Sequence, residues 1–170
     1  MPKISPHAIV HPEAKIGKNV EIGHFTIIHP HVEIGDGSVI GSHCELGIEN
    51  NLCDDTPLKI GANANIRSHS VFYKSSTIGE HFVTGHRVTV REKSNIGCNV
   101  QLGTLNDIQG HCRIGDYTRF HSNVHISQES DIGSFVWMFP YVVLTNDPQP
   151  PSENLAGCTI NDFAVIGAKT

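Results

Sequence analysis

Asp107 and His125 stand eighteen residues apart, and His86, His121 and Asn123 lie in the same stretch of chain. A carboxylate beside an imidazole fixes its tautomer and makes the ring a better proton acceptor. Such a pair can take a proton from an attacking amine or hydroxyl, or it can be a structural contact on a solvated face. An amide such as Asn123, or a main-chain N–H at a corner such as Gly103, can then stabilise the oxyanion that forms. His86, His121 and the Asp107–His125 pair are the groups of this stretch that could accept the proton. None of this chemistry exists unless the chain returns to the same place at a fixed interval.

It does return. From Ile60 to Leu144 an aliphatic or aromatic residue recurs at every sixth position, through Ile66, Phe72, Ile78, Val90 and Ile96 to Ile132 and Met138, with Thr84 the one exception. An earlier series in another frame runs from Ile4 and Val10 to Ile40 and Leu46. A helix has period 3.6 and a strand period 2, so neither demands a repeat of six. A chain that turns a corner after each short strand does. Four places after each repeat position comes a small or β-branched residue, among them Val20, Thr26, Ser38, Ala64, Val88 and Cys112. That residue and the next repeat position face inward, and the one between them faces out. The pattern predicts an all-β solenoid over residues 1–170, a parallel β-helix of stacked coils. If three hexads make a coil, residues eighteen apart are vertical neighbours, and Asp107 lies directly against His125.

Of 16 glycines, 13 follow a repeat position immediately, which suggests corners that need positive φ; Asn19, Asn63, Asn99 and Asn123, two places further on, suit the same turns. Two interruptions break the register. Residues 47–59 separate the two frames, and residues 145–159 carry three prolines before the repeat resumes at Ile160. Loops of that length in a compact solenoid point to function. The sequence ends at Thr170, inside a coil and without a polar cap, which suggests a truncated, partner-covered or fraying end.

Composition narrows the partners. Twelve Lys and Arg against 17 Asp and Glu give a mildly acidic chain, which argues against nucleic acid and anionic membrane. The longest apolar run, Phe135 to Leu144, is too short to span a bilayer, and no signal peptide opens the chain, so a cytoplasmic protein is expected. The five cysteines lack metal-site spacing, and Cys44 and Cys112 fill inward positions. Of the 12 histidines, His7, His31, His43, His69, His81 and His111 each fall three places after a repeat position, at solvent-facing corners.

The repeat resembles that of the hexapeptide-repeat acyltransferases, which implies a left-handed β-helix. In several members the catalytic histidine follows an aliphatic-Gly pair. His24 (Ile22-Gly23-His24) and His86 (Thr84-Gly85-His86) occupy that place, and His86 is preferred. The stretch from Asn99 to Ile126, and the loop beginning Thr145-Asn146-Asp147-Pro148, resemble bacterial acetyltransferases that N-acetylate nucleotide-linked amino sugars for surface polysaccharides. That resemblance implies a homotrimer binding acetyl-CoA in a groove between subunits, with the sugar nucleotide in the same cleft. It places Asn123, Asn146, Asp147 and Arg87 toward the sugar nucleotide and Gly103, Trp137 and Tyr141 toward the CoA. No metal is expected. O-acetylation is the nearest alternative. A γ-class carbonic anhydrase shares the fold and binds zinc through three histidines, inviting comparison with His86, His121 and His125. The last two are four apart here, where that family has five. Outward residues Phe135, Trp137, Phe139, Tyr141 and Val143 make an apolar surface that needs a neighbour.

Overall fold

The computed structural model describes residues 1–151 and 154–170; Ser152 and Glu153, within the second expected loop, lie outside the described residues. Strands of two to four residues stack in three parallel sheets. Sheet I runs through nine strands from Lys3–Ile4 to Val165–Ile166, and sheet II through eight from Ile9–Val10 to Val143–Leu144. Sheet III holds eight, from Lys15–Ile16 to Thr159–Ile160. Successive strands in the chain belong to successive sheets, so each coil contributes one strand to each face of a left-handed parallel β-helix. Among the described residues no helix is long and apolar enough to cross a membrane.

Register confirms the coil length. Lys15 pairs with Glu33, eighteen residues on, and Asp107 pairs with His125 at the same interval. Glu33 pairs with Lys59 instead, twenty-six residues on, so eight residues are extruded there. Asp131 pairs with Thr159, twenty-eight on, so ten are extruded at the second interruption. Both insertions leave from the corner between sheets II and III.

The inward positions form one continuous core, with Ile28, Ile40, Leu46, Phe72, Phe82, Ile96, Ile108 and Met138 almost fully buried. Each such side chain contributes about 1.5–3 kcal/mol relative to exposure. Thr84 takes an inward position and is buried too; its Oγ1 accepts the Arg67 N–H at 2.9 Å. In regular coils the corresponding N–H goes to a main-chain carbonyl, as Gly41 N does to Ile66 O at 2.7 Å. The loss of an apolar residue at Thr84 is therefore a local exchange of a backbone acceptor for a hydroxyl.

The reason for the glycines differs from the expectation. Positive φ belongs to the residue three places after the repeat position, such as Asn19 (56°), His43 (58°), Arg87 (57°), Asn123 (59°) and Tyr141 (64°). Glycines that follow a repeat position do not share it, apart from Gly47 at 91°. They are required by closeness. Gly17, Gly35, Gly61, Gly79, Gly97, Gly115 and Gly133 form an unbroken column at the corner between sheets III and I. A Cβ on Gly79 would lie 2.6 Å from the carbonyl carbon of Gly97 in the next coil.

The positive-φ position carries five corner histidines, His43 and His69 between sheets I and II, His31 and His111 between II and III, and His81 between III and I. His7, Phe25, His43 and His69 stack in sequence, with ring centroids 5.4, 5.1 and 4.9 Å apart. His31 and His81 are exposed as expected, but His111 is only half-exposed and its Nε2 is enclosed by protein.

Candidate functional site

Sheet II places the Asp107–His125 pair. Both residues occupy the outward position of their strands, Asp107–Ile108 and His125–Ile126, so the ladder holds them side by side. Asp107 Oδ2 lies 3.1 Å from His125 Nδ1, and each side chain is about one-third exposed (36 % and 37 %). An ionised carboxylate only accepts, so in a neutral ring the tautomer this contact selects has the proton on Nδ1 and the lone pair on Nε2. Gln109 Nε2 donates to the same Asp107 oxygen at 2.6 Å.

His86 stands on the corner between sheets I and II. Its main-chain N–H reaches Thr104 Oγ1 at 3.2 Å, and its Nδ1 lies 2.8 Å from Ser68 Oγ. Thr104 and Ser122 are its column neighbours, as the eighteen-residue interval requires. A serine hydroxyl can donate or accept, so it does not fix which ring nitrogen of His86 is bare. His24 is held in the same way, with Ser5 Oγ 2.7 Å from its Nδ1 and its N–H on Ser42 Oγ at 3.2 Å. Arg87, Asn123 and Tyr141 share the positive-φ column on the same corner as His86.

His121 faces the sheet I side of this corner. Its ring lies parallel to that of Phe139 with centroids 6.4 Å apart, and it lines a small groove of about 180 Å³ with Gln101, Arg119 and Trp137. The Arg119 guanidinium covers the Trp137 ring at 5.8 Å. His86, His121 and His125 thus point to different partners. Among the described residues no group of three His, Cys, Asp or Glu side chains is arranged to hold a metal ion.

One expectation needs correction. Gly103 cannot offer its N–H to an oxyanion, because that N–H is bound to Phe120 O at 2.8 Å within the coil ladder. Asn146 and Asp147 lie at the corner between sheets II and III, across sheet II from His86 of the same chain. There Asn146 Nδ2 donates to Gln128 O at 3.3 Å, and Asp147 Oδ1 takes the Gln149 N–H at 3.0 Å. Cysteine is no rival nucleophile in the core, since burial raises the Cys44 thiol and pushes that of Cys112 up to about 11.

Sequence reasoning overlooked Gln109, Arg91, Glu92 and Asn50. Arg91 and Gln109 are eighteen apart, so the count makes them neighbours without showing that they are held in a fixed geometry. A larger cleft, about 770 Å³, opens near the N-terminal end and is lined by His11, Glu13, His29, Glu45, Glu49 and Lys74. Its carboxylates are already matched. Glu45 meets His29 at 2.9 Å, Glu13 meets His31 at 3.6 Å and Glu49 meets the buried Lys74 at 3.2 Å. Its nearest part, at Lys74, lies two coils from Asp107, and size alone does not make it the site of chemistry.

Comparison with known proteins bears on the fold. The family model described as bacterial transferase hexapeptide (six repeats) matches residues 13–47. The bifunctional protein GlmU of Mycolicibacterium smegmatis is 27 % identical over 153 residues, which is 89 % of this chain and 30 % of that protein. The chain therefore spans under a third of that relative's length. Among solved structures, LpxA of Bacteroides fragilis, a UDP-N-acetylglucosamine acyltransferase, superposes with a TM-score of 0.69 at 23 % identity, covering 85 % of this chain and 71 % of that one. The UDP-N-acetylglucosamine acyltransferase of Francisella novicida gives 0.55 at 25 % identity, with 84 % and 66 % covered.

Proposed function

We propose that this chain, a hexapeptide-repeat protein with the left-handed β-helix fold, is an acyltransferase that moves an acetyl group from acetyl-CoA to the amine of a nucleotide-linked sugar. The observation that carries the reading is the Asp107–His125 pair, a carboxylate-held and partly exposed imidazole on the outer face of the solenoid. Several solved structures of this fold bear the names of UDP-N-acetylglucosamine acyltransferases, which supports a sugar nucleotide as the acceptor.

In the proposed reaction the sugar nitrogen attacks the thioester carbon. His125 Nε2 takes the amine proton, and the positive charge that appears on the ring is stabilised by Asp107. The tetrahedral oxyanion needs a donor, and the Asn123 side chain on the neighbouring corner is the candidate. Collapse of the intermediate expels the CoA thiolate, which is reprotonated. His86 is preferred less than in the sequence reading, because a hydroxyl partner fixes no tautomer and a carboxylate does.

A release-of-thiol assay with acetyl-CoA and a panel of nucleotide amino sugars tests this. Thiol release that depends on one of these acceptors is expected, and none with any acceptor would sink the reading. O-acylation is the second reading, favoured by the likeness to a solved UDP-N-acetylglucosamine O-acyltransferase, that of Moraxella catarrhalis. Treating the product with hydroxylamine separates the two, because an ester is cleaved and an amide survives.

We infer a homotrimer, as the family resemblance implies, working in the cytoplasm where acyl-CoA and nucleotide sugars are made; the exposed apolar surface supports a subunit contact. Tyr117, Phe135 and Phe163 stack with centroids 5.0 and 5.1 Å apart while each stays about half or more exposed (51 %, 49 % and 71 %). Trp137, Phe139, Tyr141 and Val143 continue the exposed patch. Light scattering at micromolar concentration is expected to give three times the chain mass; a monodisperse monomer would remove the subunit groove from the mechanism.

A further inference from the structure

Gln109 sits between two groups that each permit it one kind of bond. The Arg91 guanidinium, a donor only, places Nη1 3.3 Å from Gln109 Oε1. The Asp107 carboxylate, an acceptor only, takes Gln109 Nε2 at 2.6 Å. The amide can therefore face only one way. Arg91 is itself anchored from behind. Its Nη2 and Nε lie 3.1 and 3.3 Å from the two carboxylate oxygens of Glu92, and its guanidinium covers the Tyr73 ring at 5.9 Å.

Glu92 is wholly buried, an expensive place for a carboxylate unless it is paired. Besides Arg91 it has a second partner. Asn50, in the first extruded loop, donates Nδ2 to Glu92 Oε2 at 2.9 Å. Gly110 keeps the room this needs, since a Cβ there would come within 2.8 Å of the Glu92 carbonyl oxygen and 3.2 Å of its Oε1. The result is one unbroken chain of hydrogen bonds: Asn50, Glu92, Arg91, Gln109, Asp107, His125. It starts on the loop and ends on the imidazole.

We propose that Gln109 and Arg91 are positioning residues that hold Asp107 in place to fix the His125 tautomer, and that through Asn50 they couple the loop of residues 47–59 to that imidazole. This rests on the reading of His125 as the base for its effect on turnover, but its effect on the ring does not. Rotation of Asp107 away from Nδ1 frees the proton to move to Nε2, which then cannot accept one from a substrate.

The test is the ring nitrogen spectrum of protein carrying ¹⁵N-histidine, recorded without substrate at a pH where His125 is neutral, with Asp107→Asn identifying the signal. The parent is expected to show Nδ1 protonated and Nε2 bare. Gln109→Leu and Arg91→Lys are expected to give a mixture of tautomers, and Asn50→Ala a smaller change in the same direction. Arg91→Lys keeps the charge beside Glu92, and Gln109 is only half-buried, so both variants should fold. In the thiol-release assay Gln109→Leu is expected to lose roughly ten- to a hundredfold in kcat with little change in KM. Ring nitrogen shifts unchanged in Gln109→Leu and Arg91→Lys would overturn the proposal. If no acceptor supports turnover in the parent, the function falls, and the spectra alone still decide the relay.

Discussion

Replacing His125 with alanine is expected to lower turnover by roughly 10²–10⁴-fold, the usual cost of losing a general base. KM for acetyl-CoA should change little, because the ring serves the proton and not the binding. Asp107→Asn should approach the same loss, since an amide can offer Nδ1 a donor and turn the ring to the wrong tautomer. The deficit in both variants should shrink as pH rises, because a sugar amine then arrives already deprotonated. His86→Ala is the comparison that decides the assignment. Its Nδ1 has a serine hydroxyl for a partner, at 2.8 Å, and a smaller loss is expected. A full-activity His125→Ala protein with an inactive His86→Ala protein would move the base to the corner. Full activity in His86→Ala, His121→Ala and His125→Ala alike would mean that the protein supplies position and an oxyanion donor while solvent takes the proton.

The repeat made the vertical neighbours legible. Once a coil is eighteen residues, Asp107 must lie against His125, and the ladder pairs them as expected. The corner of the second loop was in the same count, since Leu144 comes three coils and one hexad after Thr84 and so one corner on from His86. Both insertions depart from the corner between sheets II and III, so Asn146 and Asp147 ended up across a face from His86. The glycines were placed correctly and explained wrongly. Their spacing reflects how closely one coil sits on the next, while the left-handed residues stand two places later and are of many types, from Asn, His and Tyr to Arg87, Lys93 and Leu105. Gly103 shows the cost of ignoring the ladder, since a main-chain N–H at a coil corner is already bound to the coil beside it. The Arg91–Gln109 relay was missed for another reason. Its members are ordinary surface residue types, and only the buried Glu92 behind them, invisible in a hexad pattern that expects a turn residue there, gives them a fixed geometry.

Phe72→Ala is expected to be the most damaging single change to the fold. Phe72 is fully buried at a repeat position of sheet II and meets Phe82 edge to face, with centroids 6.1 Å apart and planes at 68°. Removing it loses the transfer free energy of the ring and leaves a cavity that main chains pinned by coil-to-coil hydrogen bonds cannot close. The cost should be about 3–5 kcal/mol, against a total stability of roughly 5–15 kcal/mol for a domain. In a solenoid each coil is supported only by its neighbours, so the damage should appear as early melting of the coils around Phe72 as well as a lower midpoint. Urea unfolding followed by far-UV circular dichroism, with hydrogen exchange on the amides of Val71, Phe72 and Thr89, measures both. Phe72→Leu, which keeps most of the apolar volume, should lose far less. A loss below about 1 kcal/mol for Phe72→Ala would show that the coils can collapse onto the vacancy, and the rigid stacking argued from the glycine column would have to be given up.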